Sequence, residues 1–136
     1  MKNILIDTNG LISFVVDRDK RQNQLMYDLL SGKENVNLIL ISNVISEFVY
    51  VMDKVYKIEL AEVSRMVRDL LKMPNLDFVE GNFPEIIFTL WPNKVKDFGD
   101  AVIAAASLTT KFPIYTFDKK LSRQLKSIKC SHRLLS

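Results

Sequence analysis

The chain has one cysteine, Cys130, and one histidine, His132. A single cysteine excludes an internal disulfide and a Cys-rich zinc site. A single histidine weakens every mechanism that needs a His pair, a Ser-His-Asp triad or a His-rich metal centre. Glycine is scarce, at positions 10, 32, 81 and 99 only. Neither GxGxxG nor GxxxxGK[ST] is present, which argues against dinucleotide or nucleoside triphosphate binding. Apolar runs such as "AVIAAA" fall far short of the roughly 18 residues of a membrane span. In the N-terminal "MKNILIDTNG", Asp7 interrupts the run before a signal-peptide core could form. The expectation is a cytoplasmic protein with no membrane association. No Pro/Gly/Ser-rich linker, repeat or low-complexity tract divides the 136 residues, so a single domain over 1–136 is expected.

The composition, 48% hydrophobic and 26% charged, is that of a globular chain able to bury a sizeable core. Its charge is uneven. The net +3 is made of a C-terminal segment, 111–136, at +6 and a remainder at −3. In that segment stands "IYTFDKKLSR", where a lone acid, Asp118, precedes Lys119, Lys120 and Arg123. A basic quarter of this kind suits a polyanionic partner such as nucleic acid, or forms a solvated helix face.

Hydrophobic spacing predicts strands at 3–7, 36–41, 76–80 and 113–117, with "SIKC" (127–130) as a candidate fifth. Helices are predicted through "GLISFVV", over 20–31, "VISEFVYVMDKV", 59–72, 84–91, "FGDAVIAAASLTTK" and 119–126, with Ser42 or Asn43 available to cap the third. Strands and helices alternate with crossovers long enough for parallel pairing. An α/β fold follows, with helices on both faces of a mainly parallel sheet.

In such folds ligands bind outside the carboxyl ends of the strands. That rule sorts the acids. Asp7 follows the first strand and Asp118 the fourth. Glu47 lies in the second turn of the helix after the second strand. Asp97 and Asp100 open the helix before the fourth. Topology places all five at one sheet edge, and a first strand beside the fourth would bring Asp7 close to Asp118. Glu47 in "VISEFVYV" and Asp100 in "GDAVIAAA" have apolar surroundings, where an unpaired acid is costly. Neighbouring carboxylates repel by about 1–4 kcal/mol per pair at ~4 Å. Such a cluster needs protons or a cation, and oxygen-only ligands favour Mg²⁺ or Mn²⁺. Metal-assisted phosphodiester hydrolysis is the chemistry most natural to it, since it requires no histidine. Three of the acids have a structural alternative: Asp7, Asp97 and Asp118 each stand where a helix cap would.

Four segments, "ILIDTNGLISF", "ISEF", "DFGDAVIAAAS" and "IYTFDKKLSR", resemble in order and spacing the PIN-domain nucleases, and among them the VapC-type toxins of toxin–antitoxin modules. The resemblance covers essentially the whole chain. It implies a PIN-like three-layer sandwich with about five mainly parallel strands. It carries the family's acidic metal-binding quartet onto Asp7, Glu47, Asp100 and Asp118, with Asp97 in support. Thr8, Asn9 and Thr116 match polar positions that could order water or orient carboxylates. The implied activity is that of a Mg²⁺- or Mn²⁺-dependent endoribonuclease. The implied partners are RNA, a second copy in a homodimer, and a cognate antitoxin. Lys119, Lys120 and Arg123 are then placed to hold the RNA backbone.

Other readings compete. A receiver-like signalling domain would want an acid pair after the first strand, where only Asp7 stands. A binding module without turnover would keep the fold and basic surface, but the acid set is complete. A PIN nuclease acting in RNA processing or on DNA flaps would keep the chemistry and change the substrate.

Overall fold

A computed structural model describes residues 1–80 and 83–136. Five strands form one sheet: β1 (Lys2–Ile6), β2 (Val36–Ile41), β3 (Leu76–Val79), β4 (Ile114–Thr116) and β5 (His132–Leu134). Their order is β3-β2-β1-β4-β5, and every pairing is parallel. Seven helices connect and flank them among the described residues: α1 (Thr8–Val15), α2 (Lys20–Leu30), α3 (Ser42–Lys54), α4 (Leu60–Leu71), α5 (Pro84–Leu90), α6 (Phe98–Thr110) and α7 (Lys119–Ser127). This is the α/β architecture expected from the alternating pattern.

The two central strands explain the sheet. All six residues of β2 are buried, and Ile4, Leu5 and Ile6 of β1 are buried with them. A strand covered on both faces reads as a continuous apolar run, as "NILI" and "VNLILI" do. Leu5 pairs with Ile114 on one side of β1, and Ile4 pairs with Leu38 on the other. The chain runs outward through β2 and β3, then crosses back to lay β4 against the free side of β1. The order therefore reverses between β1 and β4, which is where an open α/β sheet offers a crevice. Asp7 directly follows β1, and Asp118 stands two residues past the end of β4.

Helix α6 is buried continuously from Ala101 to Ser107. Its run of small residues allows close packing, which is why the segment shows no amphipathic stripe. Helix α7 is the opposite case: Leu121 and Leu125 are buried while Lys119, Lys120, Arg123 and Lys126 are exposed.

Two expectations need correction. The fifth strand is His132–Leu134, not 127–130. Helix α7 continues to Ser127, and Cys130 N bonds back to Leu125 O at 2.9 Å. Lys129 takes a left-handed φ of 57°, so the chain turns here instead of extending. Helix α3 begins at Ser42, and neither Ser42 nor Asn43 caps it: the cap position is Ile41, without a side-chain bond.

Candidate active site

Asp7 caps α1 and is 5% exposed. Its Oδ1 accepts from Gly10 N at 2.9 Å, and its Oδ2 accepts from the Thr116 hydroxyl at 2.6 Å. The Thr116 oxygen in turn accepts from Asp118 N at 3.0 Å. One hydroxyl thus ties the end of β1 to the end of β4. Asp118 caps α7, its Oδ1 accepting from Lys120 N at 2.8 Å and Leu121 N at 3.1 Å. Asp97 caps α6 by accepting from Asp100 N at 3.0 Å. Capping and a place at the sheet edge are therefore compatible for all three: an oxygen that accepts one bond keeps a further lone pair, and Asp118, whose Oδ1 accepts two amides, keeps Oδ2.

Asp7, Glu47, Asp97, Asp100 and Asp118 line one cleft of about 480 Å³. Thr8 and Asn9 stand at its wall, and Ile12, Val44, Val51 and Ile103 give it apolar surface. The electrostatics record the crowding. Asp100 is pushed up from 3.8 to about 7, first by burial, then by the charges of Asp97, Asp7, Asp118 and Glu47. Glu47 is raised by burial and by the charge of Asp97, with the Thr8 hydroxyl opposing. Asp7 is raised by burial, with Asp118 adding to the rise and the bonds from Thr116 and Gly10 opposing it. In each case burial and neighbouring carboxylates disfavour the charged form.

Among the described residues no three Asp, Glu, His or Cys side chains form a ready-made metal cage. The donor chemistry nonetheless fits a hard cation. The donors are all oxygens and carry the same charge, and the charges of four carboxylates act on Asp100.

The basic residues divide. Lys120 lines the cleft, whereas Lys119 and Arg123 do not and lie exposed elsewhere on α7. Lys96 and Gln124, absent from the sequence-based candidates, do line it. Gln124 was findable, because it stands four residues after Lys120 and so shares its helix face. Gln124 Oε1 accepts from Lys96 N at 3.3 Å, joining α7 to the segment before α6. Trp91 packs edge-on to Phe98, at 5.2 Å between ring centres, and its indole N–H donates to Lys96 O at 3.1 Å. Gly99, also missed, lies against Glu47.

The family model of the PIN domain matches residues 4–125. No curated protein matches the sequence. Among solved structures the fold is similar to VapC20 of Mycobacterium tuberculosis, a toxin that cleaves the sarcin–ricin loop. There the identity is 16% and the TM-score 0.67, over 88% of this chain and 93% of that one. It is also similar to VapBC-1 from nontypeable Haemophilus influenzae, at 17% identity and a TM-score of 0.70, over 97% of both chains. VapBC2 from Rickettsia felis, bound to a DNA fragment from its promoter, gives 15% identity and a TM-score of 0.70, over 98% of this chain and 99% of that one. At these identities the likeness is one of fold.

Proposed function

The chain belongs to the PIN-domain family, and on that premise we propose that it is a metal-dependent endoribonuclease, the toxin of a type II toxin–antitoxin pair. The observation that carries the reading is the convergence of Asp7, Glu47, Asp100 and Asp118 on one cleft from four separate elements. Asp100, pushed up to about 7, marks their electrostatic centre.

These four carboxylates would hold Mg²⁺ or Mn²⁺. Bound there, such a cation polarises a phosphate oxygen and lowers the pKa of water. The chain's own groups do the rest. Thr116 fixes the Asp7 carboxylate through Oδ2, and Gly10 N fixes it through Oδ1. Thr8, beside Glu47, favours that group's ionised form. Asp97 stays in support, holding the first turn of α6 so that Asp100 faces its neighbours across the cleft. Asn9 is a polar wall residue. Lys96 and Lys120 at the cleft, and Lys119 and Arg123 further along α7, supply positive charge for an RNA backbone. Cleavage adds water across a phosphodiester, breaking one P–O bond and leaving a phosphate and a hydroxyl.

The partner reading follows the fold relatives. Two of the solved relatives are VapBC proteins, which supports a cognate antitoxin here. A homodimer is part of the same proposal. One PIN-like domain over 1–136 and a cytoplasmic setting complete the proposal. No helix among the described residues is long and apolar enough to cross a membrane.

The test is cleavage of total cellular RNA by the purified chain with Mg²⁺, with Mn²⁺ and with EDTA, run beside Asp100→Asn. Metal-dependent cleavage that vanishes in the variant is expected. A folded wild type with neither cleavage nor metal binding by calorimetry would overturn the nuclease in favour of a binding module.

A further inference from the structure

Gly99 is the second residue of α6 and is helical, with no left-handed φ to explain a glycine there. Glycine in a helix is ~1 kcal/mol less favourable than alanine, so its reason must be found in space. The reason is Glu47. A Cβ built on Gly99 would collide with Glu47 Oε1, come within 3.0 Å of Glu47 Cδ and within 3.2 Å of Asp97 Oδ1. The Glu47 side chain crosses from α3 and lays its carboxylate against Gly99 in the first turn of α6, near the capping Asp97. It can do so only because position 99 has no side chain. The positive end of the α6 dipole favours an anion at that spot.

The collision is of a particular kind. The atoms met are the tip of a long, flexible side chain and the oxygen of a cap, not backbone. A methyl group at 99 would be accommodated by a new Glu47 rotamer at little cost to the fold. What it would lose is the place of the carboxylate. We propose that Gly99 is a positioning residue for the carboxylate cluster: the absence of its side chain sets where the Glu47 carboxylate stands relative to Asp97 and Asp100. The consequence for metal affinity rests on the nuclease reading above. The placement of Glu47 does not.

The two are separated by using two readouts on Gly99→Ala, neither of them turnover. The first is the ¹³Cδ resonance of Glu47 in the metal-free protein, with backbone amide shifts of the core as reference. The second is Mn²⁺ affinity by calorimetry. Expected are a displaced Glu47 resonance, unchanged core shifts, a Tm equal to or above that of the wild type, and Mn²⁺ binding weakened about 10–100-fold, as for other residues that orient ligands. In a Glu47→Asp background the shorter side chain withdraws from position 99, so adding Gly99→Ala should change Mn²⁺ affinity less than twofold. An unmoved Glu47 resonance would overturn the proposal. So would a loss of affinity equally large in the Glu47→Asp background, which would make the effect merely structural. Should the wild type itself fail to bind Mn²⁺, the metal reading falls, and the Glu47 resonance alone decides whether Gly99 places the carboxylate.

Discussion

The Thr116 hydroxyl donates to Oδ2 of Asp7 at 2.6 Å across 109 positions of sequence, and the same oxygen receives the backbone N–H of Asp118. Both groups are buried, Thr116 completely. The arrangement sets the direction of the hydroxyl: the Asp118 N–H can only donate, so the Thr116 proton goes to the Asp7 oxygen.

Thr116→Val keeps the shape and removes the donor. Asp7, already raised by burial, loses the largest influence that opposes the rise. Its carboxyl should titrate higher, and Mn²⁺ affinity should fall about 10–100-fold. Loss of a buried bond to a carboxylate should also cost roughly 1–3 kcal/mol of stability. Thr116→Ser should recover most of both. Calorimetric Mn²⁺ titrations and thermal melts of the three proteins check this. A Val variant that binds as the wild type does would remove Thr116 from the site.

Asp100→Asn should stabilise the metal-free protein at neutral pH. In the folded chain Asp100 is held at about 7 against an ordinary value of 3.8, by burial and by four like charges. Between those values the folded state holds a proton that the unfolded state releases. Stability therefore falls as pH rises from about 4 to about 7, and the loss is complete above that. The Asn variant lacks this contribution. Its melting temperature in EDTA should exceed that of the wild type by a few degrees at pH 8, with the gap closing toward pH 4. Parallel melting curves across that range would mean that Asp100 is not electrostatically strained.

The same proton must leave before a cation can bind. Uptake of Mn²⁺ should release about half a proton per cation from Asp100 at pH 7 and about one at pH 6 and below, where affinity should fall roughly tenfold per pH unit. Calorimetry in buffers of different ionisation enthalpy measures the release directly. Binding without proton release would place the cation away from Asp100.

Much of this was legible in advance, for identifiable reasons. The continuous apolar runs of β1 and β2 announce strands buried on both faces, and the acids that follow strands announce the edge they share. Asp7 beside Asp118 follows from the β1–β4 pairing once the sheet order reverses there. What escaped is equally physical. β5 is half exposed and three residues long, so it carries no alternating signature, and the apolar Ile128 upstream drew the reading to the end of α7. Gly99 escaped because nothing in one sequence tells a glycine needed for space from one needed for its φ. Counting bases singled out Lys119, Lys120 and Arg123 together, while helical periodicity separates them: Lys120 and Gln124 share the cleft face, and Lys119 and Arg123 do not.

That division yields the sharpest test of the basic helix. If an RNA backbone enters the cleft, Lys96 and Lys120 meet the phosphates nearest the carboxylates, where position matters as well as charge. Lys96→Ala with Lys120→Ala should weaken RNA binding and flatten its salt dependence by about 0.7 for each phosphate left without its lysine. It should also lower the rate at saturating RNA, because the scissile phosphate is no longer held. Lys119→Ala with Arg123→Ala removes the same number of charges from outside the cleft. It should flatten the salt dependence similarly or less while leaving the saturated rate within about twofold, the behaviour of side chains that position a substrate without touching the reacting atoms. Binding by filter retention and single-turnover cleavage at several salt concentrations distinguish the pairs. Equal effects on the saturated rate would mean that α7 acts as one undivided basic surface and that the cleft face has no special part in it.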